Sequence, residues 1–290
     1  MNLPAHDKPL ETISALLARL CRRCAASGLL GAYRSHFRGT GLEFEELGEY
    51  SPGDEARHIA WQASLRRGHL YRRRFREERE IPLLLVADVS RSVFCWERQR
   101  RLQLETAALF AACSHLMHDP CGLYAFSDQP EAYLAPARGL SNLTRMLQTL
   151  EALCPAHSAT NLQAACASLL QTLKTPTRLV VISDFHDISG DCQDLLRQLS
   201  LRHEIMLCWL AETPYGDLPD GVFLEVREAE SGHCGLVAAG GKRSLAERRP
   251  TLDDLAIACG GELLSLTPDR PPADAVLDYL RTGRTNVQHH

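Results

Sequence analysis

From residue 81 onward two kinds of apolar pattern alternate, and no other feature constrains the fold of this chain so strongly. Residues 83–87, 121–126, 179–182, 205–210 and 262–266 are apolar runs of strand length. Between them lie stripes at helical spacing: Leu102, Thr106, Leu109, Cys113 and Leu116; then Leu162, Cys166, Leu169 and Leu173; then Leu195, Leu196 and Leu199. A strand that is apolar along its whole length is buried on both faces, and helices between such strands are what cover it. The pattern predicts an α/β domain with a mainly parallel sheet and helices on both faces. On such a sheet ligands bind outside the carboxyl ends of the strands. Asp88 and Asp184 each stand just past one of these runs.

The first 80 residues have a different texture. Leu10, Ile13, Leu16, Leu17, Leu20 and Cys24 follow a helical period, which predicts an amphipathic N-terminal helix. Residues 31–80 are glycine-rich and charged, with few large hydrophobes, and read as short strands and turns without a core of their own. The expected division is therefore 1–77, an N-terminal helix and segment packed on the main domain, and 78–290, the α/β domain. Residues 1–80 hold 14 basic and 11 acidic side chains, net +3, which leaves net −7 for residues 81–290 within the overall −4. No apolar run approaches the length of a membrane span. The first residues do not read as a signal peptide. The odd, scattered set of 11 cysteines suits a reducing compartment. A cytoplasmic protein is expected. Cys21 and Cys24 form one Cys-x-x-Cys with no second pair at zinc-site spacing.

The residues after the first strand carry the chemistry. Asp88-Val89-Ser90-Arg91-Ser92 places one carboxylate and two hydroxyls at alternate positions. This is an all-oxygen set, and hard cations such as Mg2+ take oxygen ligands. Thr160, in the loop opening the helix at 162, and Asp184, after the strand at 179–182, supply further oxygens. Each residue also has a plainer reading: Ser90 or Ser92 as a helix cap, Asp184 as a turn former, and Thr160 with Gln163 as a capping box.

Two other functions fit parts of the chain. Asp88, Asp184 and His186, with Asp187 nearby, could belong to a metal-dependent hydrolase. The stretch Arg66–Arg76, with Tyr71 and Phe75 among the arginines, could bind nucleic acid. Against the first, no activated nucleophile has a paired base. Against the second, Glu77, Glu78 and Glu80 partly neutralise the patch, which favours a charged strand face or a surface for an acidic protein. The chain is expected not to be an enzyme and not to bind nucleic acid.

The series Asp-x-Ser-x-Ser, then Thr, then Asp resembles the metal-ion-dependent adhesion site of von Willebrand factor A domains. That resemblance implies a weakly bound Mg2+ or Mn2+, held directly by Ser90 and Ser92 and directly or through water by Thr160. Asp88 and Asp184 would act mostly through waters, and a partner's carboxylate would complete the ion's shell. Upstream, Tyr50-Ser51-Pro52-Gly53-Asp54 and Arg57-His58-Ile59-Ala60-Trp61 resemble the signature of the bacterial domain-of-unknown-function 58 family. That family joins such a segment to a von Willebrand A-like domain. Ala60 stands where its members usually carry Asp. The resemblance implies a non-catalytic adaptor that works with a MoxR-type AAA+ ATPase on a client protein, in chaperone-like maturation. Asp54, Arg57 and Trp61 are its candidate partner-binding residues. Trp61 is also expected to dock the segment 39–80 onto the main domain by burial.

Overall fold

The computed structural model describes residues 12–38, 44–51, 59–75, 81–94, 96–154, 159–186, 188, 190–211, 223–227, 234–238 and 245–282. In chain order the elements begin with α1 (Ile13–Ala26), α2 (Leu29–Arg38), β1 (Phe44–Glu49), α3 (Trp61–Arg67) and β2 (Tyr71–Phe75). They continue with β3 (Leu83–Asp88), α4 (Arg91–Phe94), α5 (Glu97–Leu116), β4 (Cys121–Phe126), β5 (Pro130–Ala137), α6 (Leu140–Ala152) and α7 (Leu162–Thr172). Then come β6 (Arg178–Ser183), α8 (Gly190–Ser200), β7 (Glu204–Leu210), β8 (Phe223–Arg227), β9 (Cys234–Ala238), α9 (Leu245–Ala258), β10 (Glu262–Leu266) and α10 (Pro272–Thr282). They form two units, residues 1–32 with 81–290, and residues 33–80.

The large unit is built on a six-stranded sheet in the order β10-β7-β6-β3-β4-β5. Every neighbouring pair is parallel except β5, which runs antiparallel to β4 at the edge. β3, β4 and β6 are buried along their whole length, as continuous apolar runs require. From β3 the chain steps to β4 and β5 on one side. It then crosses back to β6, β7 and β10 on the other. The order of strands therefore reverses between β3 and β6, the place where ligands bind on open sheets.

One core packs Leu84, Val86, Val181 and Leu207 of the sheet against Leu162, Cys166 and Leu169 of α7, Leu196 and Leu199 of α8, and Leu252 and Leu255 of α9. α5 packs against the sheet, α1 and α10. It is buried around most of its circumference, and Ala107, Ala108, Ala111 and Ala112 keep it slim enough for that place. α1 buries Ile13, Leu16, Leu17, Leu20 and Cys24 on one stripe, starts at an N-cap supplied by Thr12, and lies on α5. Its other end is tied to α10 by Arg23 and Asp274, 2.6 Å apart. The sequence grouped this helix with residues 31–77. It groups instead with 81–290, because its apolar stripe packs on α5, whose residues from Leu102 onward are largely buried. Cys24 turns to Cys113 of α5, with sulfurs 3.6 Å apart.

In the small unit β1 and β2 pair antiparallel, and α3 lies between them in sequence. Ser64 is the buried residue of α3, and its Oγ accepts the Tyr71 N–H at 2.8 Å, which fastens the helix to the start of β2. The Ala60 N–H donates to the Tyr71 carbonyl at 2.7 Å. Trp61 is 60% exposed and Leu65 83% exposed. Trp61 is thus not part of a core within its own unit. The short helix is held through its serine, and Trp61 and Leu65, one turn apart, both lie away from that contact. Asp54 and Arg57 lie outside the described residues. Arg66 and Arg67 end α3, Arg72, Arg73 and Arg74 lie in β2, and Arg76 lies outside the described residues.

Candidate metal centre at the carboxyl end of the sheet

Asp88 is the last residue of β3 and Ser183 the last of β6. The register sets Ala87 beside Ile182, so the next positions, Asp88 and Ser183, are neighbours on one face. The Ser183 hydroxyl donates to Asp88 Oδ2 at 2.6 Å. The other oxygen, Oδ1, accepts the Ser90 N–H at 2.9 Å, the turn that Asp favours at a strand end. Gln103 of α5 fixes the backbone here, donating from Nε2 to the Asp88 carbonyl at 2.7 Å. Asp88, Ser90 and Ser183 are fully buried, and Asp184 nearly so.

Ser90 and Ser92 lie at the start of α4 with their hydroxyl oxygens 3.0 Å apart. Asp184 closes the same kind of turn as Asp88, its Oδ1 accepting the His186 N–H at 3.2 Å. Between them Phe185 adopts φ 52°, in the left-handed region. For a bulky side chain that conformation costs on the order of 1–3 kcal/mol, and it persists only where its surroundings hold it. Here the Phe185 ring is buried in the core, and its N–H donates to Ser183 Oγ at 3.0 Å.

Thr160 is buried in the loop before α7. It is not the helix cap: Asn161 takes that position, its side chain accepting from Ala164 N at 2.8 Å. The capping-box reading of Thr160 and Gln163 therefore does not apply. The Asn161 N–H donates to the Ser127 carbonyl at 2.9 Å, just past β4. The Val89 N–H donates to the Phe126 carbonyl at 2.7 Å, so the residues after β3 and β4 meet there. All five candidate residues, Asp88, Ser90, Ser92, Thr160 and Asp184, thus belong to segments at the carboxyl end of β3, β4 and β6.

The electrostatics of this corner are unfavourable as they stand. Burial, and then the neighbouring Asp184 carboxylate, push the Asp88 carboxyl from 3.8 up to about 7, against hydrogen bonds from Ser183 and Ser90 that pull it down. Asp184 Oδ2 is buried and accepts no hydrogen bond. The half-exposed His186 imidazole lies near it, with Nε2 4.0 Å away. Two enclosed carboxylates, one oxygen without a donor and a pair of hydroxyls suit a hard divalent cation. Among the described residues no group of three or more His, Cys, Asp or Glu is gathered as a metal cluster. An ion here would therefore rest on hydroxyls as well as carboxylates. The same fact gives Cys21 and Cys24 no zinc-like set.

The sequence reading missed Ser183 and Gln103. A hydroxyl ending an apolar strand beside Asp184, and a glutamine on the buried stripe of a helix, were signals that could have found them.

A family model described as protein of unknown function DUF58 matches residues 46–248. Similar curated proteins include an uncharacterized protein of Mycobacterium tuberculosis (strain H37Rv), 26% identical over 255 residues, 84% of this chain and 79% of that protein. An uncharacterized protein of Mycobacterium bovis matches with the same identity and coverage. Among solved structures, an aerotolerance-related membrane protein from Bacteroides fragilis aligns with a TM-score of 0.47 and 14% identity, over 69% of this chain and 98% of that chain. BatB from Bacteroides thetaiotaomicron aligns at 0.46 and 13%, over 69% and 97%. A von Willebrand factor type A protein from Catenulispora acidiphila aligns at 0.43 and 10%, over 70% and 41%.

Proposed function

From the premise that the chain belongs to the DUF58 family of proteins of unknown function, we propose that it is a non-catalytic interaction protein built around a divalent-ion site at Asp88, Ser90, Ser92, Thr160 and Asp184. The observation that carries this reading is the buried pair of carboxylates, Asp88 and Asp184, with Asp184 Oδ2 lacking any donor. A cation would relieve their repulsion and occupy that oxygen. Ser90, Ser92 and Thr160 would hold a Mg2+ or Mn2+ ion, with the two carboxylates behind waters. Mg2+ retains several waters, which suits a site with few direct protein ligands and accounts for weak binding. The ion would offer an electrophilic position to a carboxylate on another protein.

The non-catalytic reading is supported by the way these hydroxyls are engaged. Ser183 donates its hydroxyl hydrogen bond to Asp88, and the Ser90 and Ser92 hydroxyls lie against each other. The partner we propose, on the family resemblance, is a MoxR-type AAA+ ATPase, with a client protein whose maturation the pair assists. Among the described residues no helix is long and apolar enough to cross a membrane.

The test is titration calorimetry with Mn2+ and Mg2+ on the wild type, Asp88→Ala and Asp184→Ala, paired with capture of a purified MoxR-type ATPase with and without EDTA. Saturable binding in the wild type alone, and capture lost in EDTA, are expected. Equal binding in all three proteins would remove the site. Turnover of a phosphate or ester substrate that disappears in Asp88→Asn would replace the adaptor with an enzyme.

A further inference from the structure

Ser183 lies outside the pattern Asp-x-Ser-x-Ser, Thr, Asp, yet it is the residue that links the two carboxylates. Its hydroxyl proton goes to Asp88 Oδ2 at 2.6 Å, and its oxygen accepts the Phe185 N–H at 3.0 Å. The first bond leaves the Asp88 carboxylate no freedom to turn, because Oδ1 is already held by the Ser90 N–H. The second braces the left-handed turn at Phe185. That turn sets the direction of Asp184, whose own Oδ1 is held one residue further on by the His186 N–H. A single fully buried hydroxyl therefore orients the carboxylate ending β3 and the backbone that presents the carboxylate after β6.

We propose that Ser183 is a positioning residue of the divalent-ion site, a role that rests on the reading of that site given above. Ser183 does not itself touch the ion. It keeps the Asp88 and Asp184 carboxylates oriented toward the ion site. Groups that orient metal ligands in this way typically contribute about 10–100-fold to metal affinity. A purely structural serine at a strand end would contribute to folding and leave affinity unchanged.

The experiment compares the full chain with Ser183→Ala, Ser183→Thr and Ser183→Cys, by Mn2+ titration calorimetry and by thermal melting in EDTA. Ser183→Ala should weaken Mn2+ binding about 10–100-fold. Ser183→Thr keeps the hydroxyl on a residue suited to strands and should restore it. Ser183→Cys, of similar size but a weak donor, should behave like Ser183→Ala and serves in its place if the alanine variant does not fold. Wild type and the donor-poor variants binding Mn2+ alike would overturn the role of Ser183 while leaving the site standing. Failure of Ser183→Thr to recover affinity would also overturn it. A wild type with no saturable Mn2+ binding would remove the site itself, and this inference with it.

Discussion

At Asp88 stability and the proposed function pull in opposite directions. Burial and Asp184 lift its carboxyl from 3.8 to about 7, so the folded protein holds this proton more tightly than the unfolded chain does. Asp88 then contributes fully to stability below its ordinary pKa. The contribution declines as pH rises through the interval and is gone above the folded value. In EDTA the melting temperature should therefore fall between about pH 4 and pH 7 in the wild type and less so in Asp88→Asn. At about pH 8 Asp88→Asn should melt above the wild type yet gain nothing from Mn2+, a stability and activity trade. An asparagine variant that melts lower there would mean the ionised carboxylate is already well satisfied. At the other exposed extreme, Trp61→Ala should change stability by no more than about 0.5 kcal/mol in a denaturant melt. A buried aromatic would lose about 3–5 kcal/mol. Asp88, Ser90, Ser92 and Asp184 were legible because they follow apolar strands within a few positions, and Thr160 because it opens a helical stripe. The outward placement of Trp61 was not, since hydrophobicity alone argues for burial, and the contact that holds α3 runs through Ser64.

Among the elements, the buried strands and helices α1, α5, α7 and α8 were readable, and the edge strand and helices α6, α9 and α10 were not. β5 has an irregular, partly exposed pattern with Pro130 and Pro136 in it, which hides a strand from any test of alternation. Its pairing depends on Gly122 of β4. An added Cβ there would stand 2.6 Å from the Leu134 carbonyl oxygen and 2.7 Å from the Pro136 nitrogen. Both obstacles are backbone, so β5 itself must move. Gly122→Ala should cost about 1–3 kcal/mol, the usual range for overpacking, read as a lower denaturation midpoint. An unchanged midpoint would show that β5 yields freely. α2, α3 and the hairpin β8–β9 also escaped notice, since short elements rely on tertiary contacts more than on local pattern.

For the whole molecule, the place of α1 decides what can fold alone. Ile13, Leu16, Leu17 and Leu20 are buried on α5, each contributing about 1.5–3 kcal/mol by burial. Their sum is comparable with the about 5–15 kcal/mol that holds a domain together. A fragment 78–290, which the sequence suggested as the complete α/β domain, should be insoluble or lack a cooperative melt. The full chain should show one. A fragment that melts like the full chain would make α1 an accessory. The sequence by itself determined that a parallel α/β sheet forms, and which oxygens end its strands, because run length and the residues after each run are local properties. Family membership was readable from the same kind of contiguous signal. Only the tertiary structure decided that β3 and β6 lie side by side. That adjacency turns Asp88 and Ser183, 95 positions apart, into a hydrogen-bonded pair. It also confronts two carboxylates that are unremarkable when read singly. Strand neighbours across a crossover are chosen by how the whole core closes, and no stretch of sequence encodes that choice alone.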